Sequence, residues 1–455
     1  MVRRSRALPP STLALLVGLV LLAGGVRWLA FELAQPVATL GDENYYAEVA
    51  DSLARGEGHV YVGALEGESR AWRPPGHAWL LSLVAAPEDA LPTPVARFQR
   101  LQLLWGTLLV ALTALLGFLL FDTRTGLIAG LLAALSPTLI AHSHFLWSEN
   151  VFGVLVMAAL VGVVSQARRP KPITVIATGV LFGAAALTRE LALGIAALSG
   201  LWWVACAHPP ERRAAALRAG LLVAIAVGVT TPWLLRNAHA FDRFVGVSTV
   251  GWFAIAEGNS LESPEWWRPR GPTQGAFHAA YFSTRDELAR RDLAQAHAVE
   301  RIAAEQPGWI GKKTARNLAL LLSPDTVVRT KVRNGSYGDR PSAPARWLLA
   351  ASGPAWLALA VAATLGIAAA RAGGRRALAV LLLGGAVLVH IVANATPRFR
   401  VPWLPLLSIY AAHALVLGRQ LPGRLDRRGV IGAALVLGIV FGLGVPYFWM
   451  FGGRP

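Results

Sequence analysis

The 455-residue sequence has a single cysteine and few charged residues. Cys206, the only cysteine, lies inside an apolar run, which excludes an intrachain disulfide and a thiolate metal cluster. Charged residues make up 15% of the chain and hydrophobic residues 55%, whereas an ordinary soluble protein carries roughly 25% charged residues. This composition predicts an all-α protein that crosses a membrane several times.

Acidic residues are also scarce, with 26 Asp and Glu against 43 Lys and Arg and a formal net charge of +17. In a soluble protein such an excess would suggest nucleic-acid binding. Here the basic residues occur in short runs between apolar segments, and no nucleic-acid-binding motif accompanies them. Lys and Arg accumulate in the cytoplasmic loops of membrane proteins. We therefore expect membrane lipids, and no nucleic acid, among the partners.

Eleven apolar segments predict about eleven transmembrane helices. They lie at about residues 11–31, 95–121, 127–141, 151–166, 173–187, 191–207, 219–235, 347–370, 377–393, 401–417 and 430–447. The first segment, 11–31, is longer than the roughly 7–15 residues of a signal-peptide core. We interpret it as an uncleaved first span, although Arg3, Arg4 and Arg6 before it and the AQPVA stretch at 34–38 also suit a secretory signal.

The charges between these segments predict an orientation. Alternate threading from a cytoplasmic N-terminus places seventeen basic and three acidic residues inside, which is the positive-inside pattern. The outer face then receives residues 34–100, 142–150, 188–190, 237–346 and 394–400. This gives three parts: an N-terminal transmembrane module with catalytic outer loops (1–236), a small outer-face subdomain (237–346) and C-terminal transmembrane helices (347–455). Within the outer parts we predict an amphipathic helix at 284–306. We also predict a short interfacial or re-entrant helix at 77–86 that shapes a lipid-side groove.

Two adjacent carboxylates follow the first span. Asp42 and Glu43 lie at the predicted edge of the bilayer, where charges are costly and usually serve a function. We interpret them as the reaction centre. The alternative is that they only stabilise the start of the following helix, since acids favour a helix N-terminus.

Several short motifs resemble those of one enzyme family. In the first outer loop these are DENYY at 42–46, ADSLARG at 50–56 and RPPGH at 73–77, and further along are SE at 148–149, LTR at 187–189, PWLLRN at 232–237 and PRFRVP at 397–402. Their order, spacing and common side resemble the GT-C glycosyltransferases. That family includes the protein O-mannosyltransferases and the aminoarabinose transferase that acts on lipid A.

The resemblance implies a hexosyl- or pentosyltransferase that uses a polyprenyl-phosphate-linked sugar as donor. The acceptor class, an envelope lipid, a glycan or a protein, stays open. Asp42 matches the family's catalytic aspartate and would be the base of an inverting single displacement, with Glu43 as the second candidate. The branch that the motifs resemble implies a bacterial inner membrane with the active site on the periplasmic face.

Outer arginines are the candidates for binding the donor phosphate, because a guanidinium matches phosphate geometry and stays charged. They are Arg73, Arg189, Arg236, Arg398 and Arg400. We expect Asp42 to converge with Arg236, Arg398 and Arg400. The alternative is that these side chains reach to lipid headgroups, and Arg189 could instead pair with the adjacent Glu190.

His142, His144 and Glu149 are candidates for acceptor or metal binding, since histidine and carboxylate suit zinc. A divalent metal is not favoured, because Trp72 stands where the aminoarabinose transferase branch carries a glutamate. The preferred interpretation is that Glu149 positions the acceptor or pairs with an arginine.

Two other protein classes fit the hydropathy. A transporter or flippase for a lipid-linked substrate would carry polar residues deep in several spans or helix breaks in two matching halves, and the sequence has few of the former and no matching halves. A non-catalytic envelope assembly protein would need neither the acid pair nor the outer arginines.

Overall fold

A computed structural model of the chain describes residues 10–37, 39, 41–63, 66–86, 92–259, 275–304, 306–324, 327–371 and 373–452. These residues form an all-α polytopic membrane fold, which confirms the predicted fold class. Among them the β-type pairing consists of an isolated bridge between Tyr61 and Ser69.

The helices up to the second outer segment are, in chain order, α1 Pro10–Ala34, α2 Asp42–Ala54, α3 Gly76–Ser82, α4 Val95–Leu120, α5 Thr123–Ala134, α6 Pro137–His142, α7 Glu149–Arg168, α8 Pro172–Ala186, α9 Leu191–Cys206 and α10 Arg212–Phe241. The remainder are α11 Gly251–Asn259, α12 Gly275–Ser283, α13 Glu287–Ala304, α14 Gly308–Leu322, α15 Val327–Arg333, α16 Ala343–Ala369, α17 Gly374–Val392, α18 Leu404–Leu417, α19 Arg427–Ile439 and α20 Val445–Tyr447. A 3-10 helix, Pro397–Trp403, precedes α18.

Within the described residues, eight helical segments are long and apolar enough to span a membrane. They are α1, α4, α7, Pro209–Phe241, α16, α17, Pro397–Gln420 and Arg427–Met450. Three shorter apolar helices, α5, α8 and α9, coincide with predicted spans. The chain is thus a multi-pass membrane protein, and the total of eleven spans stays a prediction.

The bundle helices pack closely at glycine residues. A Cβ added at Gly126 of α5 would lie 2.5 Å from the carbonyl oxygen of Ala114 in α4. Small residues allow such backbone approach in membranes, where packing rather than hydrophobic burial associates helices. The buried core around this contact draws residues from α4, α5, α7 and α18.

A break in the α5 span is held by a buried arginine of α1. Ser136 and Pro137 start α6 after α5 has ended at Ala134. The guanidinium of Arg27 donates to the carbonyls of Ala133 and Ala134 at 3.2 and 3.3 Å. The last carbonyls of a helix have no partner within it, so the arginine satisfies them. The break directs the following loop, residues 143–148, toward α2.

The described residues between α10 and α16, called the outer segment after their predicted side, pack on the first outer loop. Phe277, Tyr281 and Ala298 share one buried cluster with Tyr45 and Trp72. The predicted amphipathic helix at 284–306 is present as α13, and the predicted short helix at 77–86 is present as α3. The two outer segments therefore have a common core, and the predicted division at 237 and 346 stays a prediction.

Candidate active site

Asp42 is the first residue of α2 and joins two distant arginines. Its Oδ1 accepts a hydrogen bond from Arg73 Nη2 at 2.6 Å, and its Oδ2 accepts one from Arg398 Nη1 at 2.6 Å. The residue at the helix cap is Gly41, with a φ of 58° and no side-chain cap hydrogen bond. The carboxylate thus serves as an ion-pair centre, and it also lies in the first turn of α2, where an acid favours the helix N-terminus.

Glu149, at the start of α7, anchors the second half of the site. Arg398 binds it in a bidentate manner, with Nε to Oε1 at 2.5 Å and Nη2 to Oε2 at 3.1 Å. Arg189 donates to the same Oε1 at 2.8 Å. Two parallel bonds to one carboxylate are the strong form of this interaction. Glu149 is therefore the predicted arginine partner, and Arg189 pairs with it rather than with Glu190.

We name Asp42, Arg73, Glu149, Arg189 and Arg398 the ion-pair cluster. It combines three guanidiniums with two carboxylates, so the ionised side chains carry one net positive charge. The Glu149 side chain is fully buried, and Asp42 and Arg398 are 24% and 15% exposed. Such a partly open, cationic cluster is suited to binding an anion.

Four separate outer segments deliver these five side chains, and close backbone contacts hold the segments together. The amide of Gly76 donates to the carbonyl of Leu187 at 2.7 Å, and a Cβ at Gly76 would lie 2.9 Å from that oxygen. This contact joins α3, just after Arg73, to the turn that carries Arg189. Pro397 and Pro402 lie within the 3-10 helix of Arg398, where their fixed φ limits backbone freedom.

Aromatic rings lie against each guanidinium of the cluster. The Cζ of Arg398 lies 3.9 Å from the Trp147 ring centre, that of Arg73 4.7 Å from Trp72 and that of Arg189 5.6 Å from Phe399. The negative faces of aromatic rings attract cations and restrict their orientation. The arginines are thus held in place before any ligand binds.

The surrounding charges lower the basicity of Asp42. Burial alone would raise the pKa of its carboxyl, but the guanidiniums of Arg73 and Arg398 outweigh this and hold the pKa well below its usual range. For Arg73, burial would lower the pKa, yet the carboxylate of Asp42 raises it. Asp42 is therefore an ionised but weak base in this arrangement.

Glu43, the second predicted base, faces a different set of partners. Its side chain is 1% exposed and forms an ion pair with Lys331. Its Oε1 accepts a hydrogen bond from the amide of Leu146 at 2.9 Å. Successive residues of a helix point in different directions, so Glu43 lies in the protein interior while Asp42 meets the arginines.

The predicted convergence of three arginines on Asp42 holds directly for Arg398. Arg236 donates instead to the carbonyl of Arg70 at 2.8 Å and lies 4.7 Å from the Trp233 ring centre. Arg400 is buried and donates to the carbonyls of Leu321 and Ser323 at 2.9 and 2.5 Å. Residues two apart in a 3-10 helix point to different sides, which separates Arg400 from Arg398.

The candidate metal residues are not arranged as a ligand set. His144 Nδ1 lies 3.0 Å from the Tyr337 hydroxyl, and both oxygens of Glu149 accept from guanidiniums. Burial lowers the pKa of His142 to about 4 and that of His144 to about 3, so both rings are neutral. Within the described ranges, no group of three His, Cys, Asp or Glu side chains could hold a metal ion.

Two apolar cavities lie near the cluster, and the sequence did not predict the second. One of about 350 Å³ is lined by Pro75, Gly76, Trp79 and Trp233, among others. The other, of about 430 Å³, lies between α16, α17 and α19 and reaches Arg400. Lys331 was missed as well, because no sequence motif singles it out among the basic residues of the outer segment.

Residues 72–235 match the family model described as Dolichyl-phosphate-mannose-protein mannosyltransferase. This stretch contains Arg73, Glu149 and Arg189, and the motifs of Asp42 and Arg398 flank it. The chain has the fold of the GT-C glycosyltransferases. The resemblance predicted from the motifs is thereby confirmed.

Solved structures of this fold include the oligosaccharyltransferase AglB from Archaeoglobus fulgidus, in complex with an inhibitory peptide and a dolichol-phosphate. It matches with a TM-score of 0.54 and 16% identity over 96% of this chain and 55% of that chain. A complex of the Archaeoglobus fulgidus oligosaccharyltransferase with Zn and sulfate matches with a TM-score of 0.52 and 16% identity, over 96% of this chain and 52% of that chain. The chain thus spans about half the length of the archaeal enzyme.

Another solved structure that matches is ArnT from Cupriavidus metallidurans bound to undecaprenyl phosphate. That match has a TM-score of 0.42 and 15% identity, over 86% of this chain and 77% of that chain. A comparison with curated protein sequences found no match.

Proposed function

We propose that this GT-C chain moves a hexose or pentose from a polyprenyl-phosphate donor to an acceptor by inverting single displacement. The observation that carries the proposal is the carboxylate of Asp42 held between the guanidiniums of Arg73 and Arg398. Such a site combines a proton acceptor with cations for a departing phosphate. The family description supports a sugar carried on a lipid phosphate, and no comparison supports the transporter or assembly-protein alternatives.

The donor phosphate would bind beside Arg73 and Arg236. Pro75 and Gly76 line the 350 Å³ cavity and follow closely after Arg73 in the chain. Trp233 lines the same cavity, and the guanidinium of Arg236 lies against its ring. The apolar wall suits the first isoprene units of the lipid. Guanidiniums at its edge bind phosphate oxygens in pairs and neutralise the leaving group.

The reaction then needs one proton transfer and one displacement. The acceptor hydroxyl or amine attacks the anomeric carbon as the bond between that carbon and the phosphate oxygen breaks. Asp42 takes the proton of the acceptor, and the bond electrons leave with the polyprenyl phosphate. A single displacement inverts the configuration at the anomeric carbon.

Donor binding would also activate Asp42. Each of its carboxylate oxygens accepts a hydrogen bond from a guanidinium, and these cations weaken its attraction for the acceptor proton. The phosphate bound beside Arg73 competes with Asp42 for this guanidinium and offsets its charge. The pKa of Asp42 then rises toward its ordinary value, and one oxygen becomes available to the acceptor.

Glu149 would position Arg398 and Arg189 rather than coordinate a metal. The archaeal enzyme was also solved with Zn, whereas the oxygens of Glu149 here face guanidiniums that already supply positive charge. The proposed reaction therefore uses no metal ion. Dialysis against a chelator should leave the transfer rate unchanged, and a loss that added zinc or magnesium restores would contradict this assignment.

The location that we propose is a bacterial-type inner membrane, with the N-terminus in the cytoplasm and the ion-pair cluster at the periplasmic face. The positive-inside distribution of the loops supports this orientation. The acceptor would then be an envelope lipid, glycan or protein.

Substitution of Asp42 by Asn tests the proposal. The amide keeps the shape but cannot take the proton, and loss of a general base typically costs about 10²- to 10⁴-fold in rate. The assay is release of polyprenyl phosphate from undecaprenyl-phosphate carrying a labelled hexose or pentose, with fractions of cell-envelope lipid, glycan or protein as acceptor.

Asp339→Asn provides the matched control, because Asp339 is an exposed acid of the outer segment. Its transfer rate should equal that of the wild type. A folded Asp42→Asn protein with the wild-type rate would remove Asp42 from the role of base.

A further inference from the structure

The short helix α15 and the turn after it connect the outer segment to the residues around Asp42. Lys331 of α15 is almost fully buried, with 4% of its side chain exposed, and its ammonium pairs with Glu43. The same ammonium lies 4.5 Å from the ring centre of Trp147 and 5.0 Å from that of Phe145. Lys331 therefore contacts α2 and the loop that leads to Glu149.

Glu43 links this lysine to the ion-pair cluster. It follows Asp42 directly in the first turn of α2, and its Oε1 accepts from the amide of Leu146. Movement of the Glu43 carboxylate would therefore rotate or shift the helix turn that presents Asp42. Burying a Lys–Glu pair costs solvation free energy, and breaking it leaves one charge buried without its partner.

Trp147 provides a second link from Lys331. Its ring contacts both the Lys331 ammonium and, at 3.9 Å, the Arg398 guanidinium that binds Asp42 and Glu149. A shift of Lys331 would thus change the packing of the ring that orients Arg398.

The turn after α15 fixes the lysine in place. The carbonyl of Ser336 accepts a hydrogen bond from the amide of Val37 at 2.9 Å, and the amide of Ser336 donates to the carbonyl of Lys331. The Tyr337 hydroxyl lies 3.0 Å from His144 Nδ1. Residues 331–337 thus contact the chain before α2, α2 itself and the loop before α7.

We infer that Lys331 is a positioning residue for sugar transfer: through Glu43 it holds Asp42, and through Trp147 it holds Arg398, in the arrangement that the reaction requires. The inference rests on the proposed function, since Asp42 is there the base. It assigns to the outer segment a direct part in building the reaction centre.

The test compares Lys331→Met, Lys331→Arg and the double variant Glu43→Gln with Lys331→Met. The double variant removes both charges of the buried pair, so it should fold even where the single variant does not. Arg333→Met is the matched control, because Arg333 is an exposed basic residue of the same helix. Each protein is measured for kcat, for the KM of undecaprenyl-phosphate-linked sugar, and for amide hydrogen exchange of residues 41–54 by mass spectrometry.

We expect the double variant to show a kcat about 10- to 100-fold below the wild type, because small misplacements of reacting groups cost that much, with a KM for the donor within about threefold. Exchange in the first turn of α2 should become faster. Lys331→Arg should recover a large part of kcat, and Arg333→Met should match the wild type in every measurement.

A folded double variant with wild-type kcat would overturn the inference, and so would unchanged exchange of the α2 amides. If the wild type transfers no sugar from any such donor, the proposed function is wrong. The exchange measurement then still decides whether Lys331 holds α2.

Discussion

Asp42, the proposed general base, is surrounded by positive charge. Two guanidiniums at 2.6 Å keep its carboxylate ionised and weakly basic. A base is most effective when its pKa lies near the working pH. In the proposed mechanism the ion pairs are therefore a resting state, which ends when the donor phosphate binds Arg73.

This interpretation predicts how the pH profile responds to loss of one arginine. Arg73→Met removes a cation that lowers the pKa of Asp42, so that pKa rises toward its ordinary value near 3.9 or above. Because Asp42 must be ionised to accept a proton, the acidic limb of the kcat/KM profile, which reports the free enzyme, should move to higher pH. The rate at the optimum should also fall, since Arg73 is assigned to the leaving phosphate.

Arg70→Met is the control for this measurement, because the Arg70 side chain is 52% exposed and pairs with Glu68. Its profile should overlay that of the wild type. Coincident acidic limbs for Arg73→Met and the wild type would show that Arg73 does not set the pKa of Asp42.

At the scale of elements, the site depends on how closely short helices approach one another. α3 begins where the amide of Gly76 meets the carbonyl of Leu187, at the end of α8. This contact sets the distance between the segment with Arg73 and the turn with Arg189. The 3-10 helix, which lies in the C-terminal half of the chain, then brings Arg398 to the carboxylates of Asp42 and Glu149.

Gly76→Ala should separate these two segments. The added Cβ would lie 2.9 Å from the Leu187 oxygen and 3.0 Å from its carbonyl carbon, so the backbone must shift. Overpacking of this kind typically costs about 1–3 kcal/mol. We expect a lower unfolding temperature in detergent and a reduced transfer rate.

Gly220→Ala is the matched control in α10, because a Cβ added at Gly220 would have no other atom within 4 Å. It should leave both the unfolding temperature and the transfer rate at or above the wild-type values, since alanine favours a helix by up to about 1 kcal/mol over glycine. If the two variants have the same unfolding temperature and transfer rate, the close contact at Gly76 does not hold the site together.

At the scale of the whole molecule, the fold gathers the candidate site residues. The helices carry them to one end of the bundle, and the outer segment packs over that end through a core shared with the first outer loop. Basic loops occupy the other end, at Arg168 and Arg169 and at Arg419 to Arg428. The basic loops and the ion-pair cluster thus lie at opposite ends of the bundle.

The proposed orientation can be measured with cysteine labelling, since Cys206 is the only native cysteine. In a Cys206→Ser background, Arg285→Cys should react with a membrane-impermeant maleimide in cells whose outer membrane is permeabilised and whose inner membrane is intact. Arg285 is 86% exposed in the outer segment. Arg419→Cys, an exposed residue at the opposite end, should react only after the inner membrane is permeabilised.

The reverse labelling pattern would place the ion-pair cluster on the cytoplasmic side. In that case the donor and acceptor classes proposed here would be wrong, although the ion pairs themselves would remain.

Composition and hydropathy were enough to predict the all-α membrane fold, because a bilayer allows few ways to satisfy backbone hydrogen bonds. Motif order was enough to predict the GT-C resemblance and to select Asp42, Arg73, Glu149 and Arg398. The sequence by itself also predicts that these residues share one side of the membrane, since loop charge sets helix orientation.

Only the tertiary structure decided which of these residues meet. In the structure Arg400 points away from Arg398, and Glu43 forms an ion pair with Lys331. Side-chain direction depends on helix phase and packing rather than on spacing along the chain. The tertiary structure also brought Lys331 to a residue 288 positions away. Such contacts arise when segments pack, and nothing in the local sequence encodes them.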